Sequence, residues 1–164
     1  MSSSIIRQFP DPVLRKVSER VKKIDRSIMA LVDRLIETMK KQPGGVGIAA
    51  PQIGVLKQVA IVDVSPKIPG ARLLVLINPE IITLEKWQVF REGCMSLPDY
   101  TANVKRADRI HIKYQGINSK QYELAADKLE ARCIQHEIDH LNGLLFVDRV
   151  AALKSDVFRR KRYL

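Results

Sequence analysis

Residues 127–143, DKLEARCIQHEIDHLNG, constrain the fold more than any other stretch of the chain. Asp127, with Glu130 three residues on, is a capping-box-like start, and Asn142-Gly143 is a usual stop, so the segment predicts a helix from about 128 to 142. Inside it, His136-Glu137-Ile138-Asp139-His140 spells HExxH. Histidines four apart on a helix stand one above the other with Cβ atoms roughly 5–6 Å apart, so their imidazoles can converge on one metal ion. Two ligands do not make a catalytic centre, which usually has three protein ligands and one position open to water. The rest of the fold must therefore bring a third ligand to this helix.

The third ligand can be sought by position. The last histidine of the protease pattern HExxHxxGxxH would fall at Phe146, and no glutamate follows Glu137, so neither common protease arrangement fits. Asp148 and Asp156 are the remaining downstream carboxylates, and His111 lies in an expected strand. Of the two thiols, Cys133 is seven residues before His140, about 10.5 Å along a helix, too far to share an ion comfortably. Its better reading is a small buried hydrophobe. Cys94, in Glu92-Gly93-Cys94-Met95-Ser96-Leu97-Pro98, sits in a short extended piece bracketed by glycine and proline and is the better candidate. One Cys and two His would hold a tetrahedral ion with one water, whose pKa falls toward neutrality.

Glu137 and Asp139 lie about 80° to either side of the midpoint of the two histidines, so angle alone does not choose a base. Glutamate reaches one methylene further and holds the base position of HExxH, which favours Glu137 as general acid/base and leaves Asp139 a structural or ligand-supporting role. Gly45 to Gly54, GVGIAAPQIG, packs three glycines and two alanines into ten positions, a composition that lets backbone approach a ligand and suits a substrate wall. A phosphate loop is a poor reading, because GxGxxG would need glycine at Ala50 and would follow a strand rather than a helix.

Around these motifs the sequence predicts a helix over 25–42, with Asp25 as N-cap and Ile28, Leu31, Val32, Leu35 and Met39 on one face. Strands are expected between Lys57 and Ser65 and from Arg72 to Ile77, the latter ending before Asn78-Pro79. A hairpin of Arg109 to Gln115 and Lys120 to Ala125 turns at Gly116 to Ser119, and a last helix is expected from about Ala151 to Arg162. The fold class is α+β: mixed or antiparallel sheets packed around the HExxH helix, with an N-terminal and a C-terminal helix. At 164 residues, the chain is expected to be a single domain over 1–164.

The net charge of +10 suggests a nucleic-acid or membrane-surface partner until it is located. The excess is +4 over residues 1–40, +1 over 41–100 and +5 over 101–164, so the stretch carrying Gln52 and Cys94 is nearly neutral. Arg159, Arg160, Lys161 and Arg162 form the densest cluster, readable as a solvated tail or as a ribosome contact. Two cysteines, no leader-like N-terminus and no apolar run near 18 residues point to the cytoplasm and away from a membrane. Nothing reads as a coiled-coil seam, so a monomer is expected.

GVGIAAPQIG, EGCMSLP and QHEIDHLNG, in this order and at these separations, resemble the three motifs of peptide deformylase, the metal hydrolase that removes the formyl group from the N-terminal methionine of new proteins. The likeness runs from FPDPVLRKVSERV at 9–21 past LLFVDR at 144–149. It implies metal ligands Cys94, His136 and His140, with Glu137 as the catalytic acid/base of a metal-hydroxide attack that releases formate. It also implies oxyanion donors in the Gln52 side-chain amide and the Met95 backbone N–H. Backbone at Val46 and Gly47 would pair with the peptide as an added strand; Val46, Phe90, Leu129 and Cys133 would line the methionine pocket, and Glu92 and Arg106 would support it. The implied cofactor is one divalent ion, Fe(II) as the native ion with Zn(II) or another divalent ion possible, and the implied partners are N-formylmethionyl nascent chains, with ribosome docking through a basic C-terminal helix. Glycine is frequent in the family at Lys128 and leucine at Met95. An HExxH metallopeptidase and a basic ribosome- or RNA-binding module with a structural metal are the competing readings.

Overall fold

The structure is a computed structural model and describes residues 4–160. Its elements are α1 (Arg26–Lys40), β1 (Gly47–Ala49), β2 (Val59–Val62), β3 (Leu74–Cys94), β4 (Leu97–Gln115), β5 (Gln121–Asp127), α2 (Lys128–Leu141), α3 (Leu153–Asp156) and β6 (Val157–Arg159). The strands are antiparallel in the order β1-β2-β3-β4-β5, with β6 on β4. α2 is the HExxH helix, and the α+β class stands as expected from the sequence.

The Asp25 carboxylate accepts the Ile28 N–H at 3.2 Å and starts α1, whose residues Ile28, Leu31, Val32, Leu35 and Met39 are buried against Ile48, Val59 and Ile61. Burying side chains of this size is worth roughly 1.5–3 kcal/mol each, which holds α1 behind the glycine-rich segment. A second cluster, including Ala107, Ile110, Ile112, Ala131, Ile134 and Ile138, seats α2 on the sheet.

β3 does not stop at Asn78-Pro79 as the sequence suggests. The ladder shifts register between Ile77 and Glu80, and Asn78 there adopts φ 50°. Its side chain replaces the missing ladder bonds: Oδ1 accepts the Val21 N–H at 2.8 Å, and Nδ2 donates to the Val21 carbonyl at 2.9 Å. Asparagine tolerates the left-handed region and proline's missing N–H falls in a bulge, so the strand continues. It runs on to Cys94, which pairs with Leu97 across a two-residue turn of Met95 and Ser96.

Two further expectations are corrected. Asp127 makes no side-chain cap on α2, because β5 runs straight into the helix and Lys128 takes φ 53° to turn the chain. The helix expected from Ala151 to Arg162 is one turn, Leu153–Asp156, followed by strand β6. Leu153 is 67% exposed and finds no core to bury against, whereas the outer edge of β4 at Tyr100 to Ala102 takes Val157, Phe158 and Arg159 as a strand, with Val157 packed against the cluster that holds Cys94 and Leu97. Lys161 and Arg162, the end of that expected helix, lie outside the described residues.

Candidate active site

Every residue of α2 from Ile134 to Leu141 is buried, including Gln135, His136, Glu137, Asp139 and His140. A buried polar group without a partner costs about 1–3 kcal/mol, so the partners of these five show how the region is built. Gln135 accepts the Ala107 N–H at 3.0 Å and donates to the Ala107 carbonyl at 2.7 Å, a structural clamp to β4. Asp139 accepts from Arg106 Nη1 at 2.9 Å and from Arg149 Nη2 at 2.8 Å and Nε at 3.1 Å. His136 Nδ1 is bonded to the Glu92 carboxylate, which Arg106 grips with two further bonds of 2.8 Å. Burial opposes the charge on Glu92, but His136 and Arg106 outweigh it and hold its carboxyl down at about 2.

Two buried atoms of α2 have no partner: Glu137 Oε1 and His140 Nδ1. Burial pushes the Glu137 carboxyl up to about 7. Gly47 closes against this side chain, since a Cβ added to Gly47 would lie 2.6 Å from Glu137 Oε2 and 3.1 Å from its Cγ and Cδ. Any other residue at Gly47 would displace the carboxylate.

One ligand atom from each of Cys94, His136 and His140 lies within 4.8 Å of the other two, and Cys94 Sγ is 3.3 Å from His140 Nε2. The S–N edge of a tetrahedral zinc-type site is about 3.5 Å from its usual bond lengths, so the three donors fit one ion with little movement. The outer nitrogen of His136 is held by a carboxylate, as the outer nitrogen of a metal-ligating histidine usually is. Cys133 stands apart: burial, then the nearby Glu137 carboxylate, pushes its thiol up to about 12, leaving it a neutral wall residue. His111 pairs with Glu123 on the β4–β5 hairpin and takes no part in the cluster.

Gln52 is buried in a single 3₁₀ turn, Ala50–Ile53. Its side-chain oxygen accepts the Ala49 N–H at 3.0 Å, which aims the amide nitrogen at Ser96 Oγ (3.1 Å) and toward Cys94 Sγ (3.7 Å). The Ser96 N–H in turn points at Cys94 Sγ at 3.4 Å. A cavity of about 910 Å³ opens over these groups. Its lining includes Val46, Gly47, Gln52, Phe90, Glu92, Cys94, Met95, Leu129, Cys133, His136 and Glu137. Arg106 and His140 are not among the lining residues; Arg106 works from behind Glu92, 3% exposed. Sequence reasoning gave no role to Ser96 or Arg149, and no spacing rule signals either one.

The family model for polypeptide deformylase matches residues 3–156. The chain belongs to the polypeptide deformylase family. A peptide deformylase of Thermodesulfovibrio yellowstonii is 45% identical over 156 residues, covering 95% of this chain and 94% of that one. Crystal structures of peptide deformylases superpose closely: that from Thermotoga maritima with TM-score 0.86 at 38% identity over 93% of this chain and all of its own (100%), and that from Legionella pneumophila with TM-score 0.86 at 37% identity over 93% and 89%. The chain is therefore a hydrolase of protein biosynthesis that removes the N-formyl group from nascent peptides. Its family is metal-dependent, and Cys94, His136 and His140 form a group that can hold the ion.

Proposed function

We propose that this deformylase works with Cys94, His136 and His140 as the ligands of one divalent ion, natively Fe(II) with Zn(II) or another divalent ion accepted, and with Glu137 as general acid/base. When bound, the ion supplies Lewis-acid polarisation and lowers the pKa of a water molecule. Glu137 takes the proton of the attacking water and returns it to the departing amine, so that the peptide leaves with a free N-terminus and the formyl group as formate. The observation that carries this assignment is the unpaired, buried Glu137 carboxylate, held against Gly47 beside three converging donor atoms. A carboxyl near neutrality can both accept and give up that proton.

The Gln52 amide and the Met95 backbone N–H serve as donors to the oxygen that gains charge as the formyl carbon becomes tetrahedral. Gln52 is suited to this because the Ala49 N–H fixes which end of its amide faces the site; a donor of this kind is worth about 2.7–4 kcal/mol in the transition state. β1 pairs only with β2 among the described residues, so its outer edge at Val46 and Gly47 is free to take the peptide as an added strand. The methionine side chain enters between Val46, Phe90, Leu129 and Cys133, while Glu92 and Arg106 hold the His136 wall of the pocket.

The enzyme acts in the cytoplasm as a monomer, one catalytic unit over the whole chain; no helix among the described residues is long and apolar enough to cross a membrane. Ribosome association through Arg159, Arg160, Lys161 and Arg162 belongs to the same reading, and co-sedimentation unchanged by neutralising the four would remove it. The central test is formate release from formyl-Met-Ala-Ser, with elemental analysis of anaerobically prepared protein. Release should stop on chelation and return with Fe(II). No chelator-sensitive release by metal-replete protein would overturn the proposal, and cleavage within unformylated peptides would favour a metallopeptidase.

A further inference from the structure

One wall of the catalytic cavity comes from outside the three motifs. β6 pairs with β4 at Tyr100–Arg159, Thr101–Phe158 and Ala102–Val157, and the Arg160 N–H donates to the Asp99 carbonyl at 2.7 Å. The Phe158 ring lies under the Arg91 guanidinium, 3.9 Å from its centroid, and Arg91 is anchored to Asn103 Oδ1 at 3.1 Å and Thr101 Oγ1 at 3.3 Å. This latch lays the Arg160 guanidinium over Gly93, in contact with the place a Cβ would occupy, so the absence of a side chain at Gly93 makes room for it. Arg160 thereby lines the same cavity as Gly47, Cys94 and Glu137.

The charge of that lining is one-sided. It contains Lys67, Arg91, Arg132 and Arg160 against only two carboxylates, Glu92 and Glu137, both turned into the buried site. Arg132 is paired with Asp108 at 2.8 Å, whereas among the described residues neither Arg160 nor Lys67 has a carboxylate partner. An unpaired guanidinium beside the residue before Cys94 faces whatever chain lies between β1 and Gly93.

We propose that Arg160 is a specificity-determining residue that recognises an acidic side chain of the formylated peptide downstream of its methionine. The inference rests on the reading above that the peptide lies along β1 in this cavity. Latched β6 brings the cation to the path of the substrate, so formyl-Met chains carrying Asp or Glu a few residues in are turned over faster than their amide isosteres, chiefly through a lower KM. An exposed ion pair of this kind corresponds to about a two- to fivefold preference at low salt, screened as salt rises.

The test compares kcat/KM for formyl-Met tetrapeptides with Glu or Gln at the second, third or fourth position. At one position the Glu/Gln ratio should be about two to five in the native protein. It should fall to about one in Arg160→Gln, survive in Arg160→Lys and invert in Arg160→Glu. Arg159→Gln, which removes the same charge from the same segment outside the cavity, should leave the ratio unaltered. A ratio of one at all three positions, or one equally altered by Arg159→Gln, overturns the assignment and leaves the run to bulk electrostatics. Deformylation of the Gln peptides is the internal control: its absence would strike the deformylase chemistry rather than the specificity.

Discussion

Glu92, with 15% of its side chain exposed, and the buried Glu137 are carboxylates of the same cavity, and the chain treats them in opposite ways. Glu92 is enclosed by His136 and Arg106, and Arg106 passes on to Asp139 and Arg149 in a fully bonded chain of charges. Glu137 has an oxygen with no protein partner and faces the cavity. Burial disfavours charge on both, yet pairing holds one down at about 2 while the other rises to about 7. A satisfied charge gives a rigid wall that fixes the His136 ring; an unsatisfied one is kept at a cost in stability and is the group to which the proposed mechanism gives the proton transfers.

The sharpest way to break this contrast is Glu137→Ala. Loss of a general acid/base lowers the rate by about 10²–10⁴-fold, and formate release should fall by that much while elemental analysis shows the metal retained. Full turnover with metal bound would remove Glu137 from its role.

Next in size is Arg106→Ala, which strips the shared cation from Glu92 and Asp139. Breaking a buried ion pair from one side costs about 3–5 kcal/mol, to be read from urea unfolding. A loss below about 1 kcal/mol would mean that the bonded chain is not what holds this wall together.

The smallest expected effect, about 3 kcal/mol at most from each carboxyl, separates the two by pH in the metal-free protein. The Glu92 carboxyl titrates lower in the folded than in the unfolded state, so its stabilisation is complete above about 4.5 and is lost as pH falls toward about 2. Glu137 titrates higher when folded, so its stabilising proton is lost and stability declines as pH rises from about 4.5 to about 7. Glu137→Gln should therefore be more stable than the native protein at pH 8, and Glu92→Gln less stable. The same sign for both variants at pH 8 would dissolve the comparison.

The elements that were legible in the sequence are those whose cause is local. α1 follows from a 3.6-residue apolar period and an aspartate cap, and α2 from its length and its Asn142-Gly143 stop. The three motifs could be read because glycines, a Gly-Cys-x-x-x-Pro turn and histidines four apart are short-range patterns, and in the folded chain each motif contributes residues to one cavity, with His140 set behind its lining. Local rules also misled where a non-local partner intervened. Asn78-Pro79 looked like a strand end, but Val21, 57 residues away in sequence, supplies the bonds that let β3 continue.

By itself, then, the sequence determined the HExxH helix with its two histidines and the α+β class, because periodicity and the i, i+4 spacing are written within a few residues of one another; Cys94, 42 residues before His136, entered the candidate set through a motif of its own. Only the tertiary structure decided that Arg106 grips Glu92 and Asp139 together, that Glu137 is left unpaired against Gly47, and that Val157 to Arg159 form a strand rather than a helix. Each of these depends on what distant segments place alongside: a buried charge is as stable as the partners the fold delivers, and a three-residue strand exists only where a sheet edge is open to receive it.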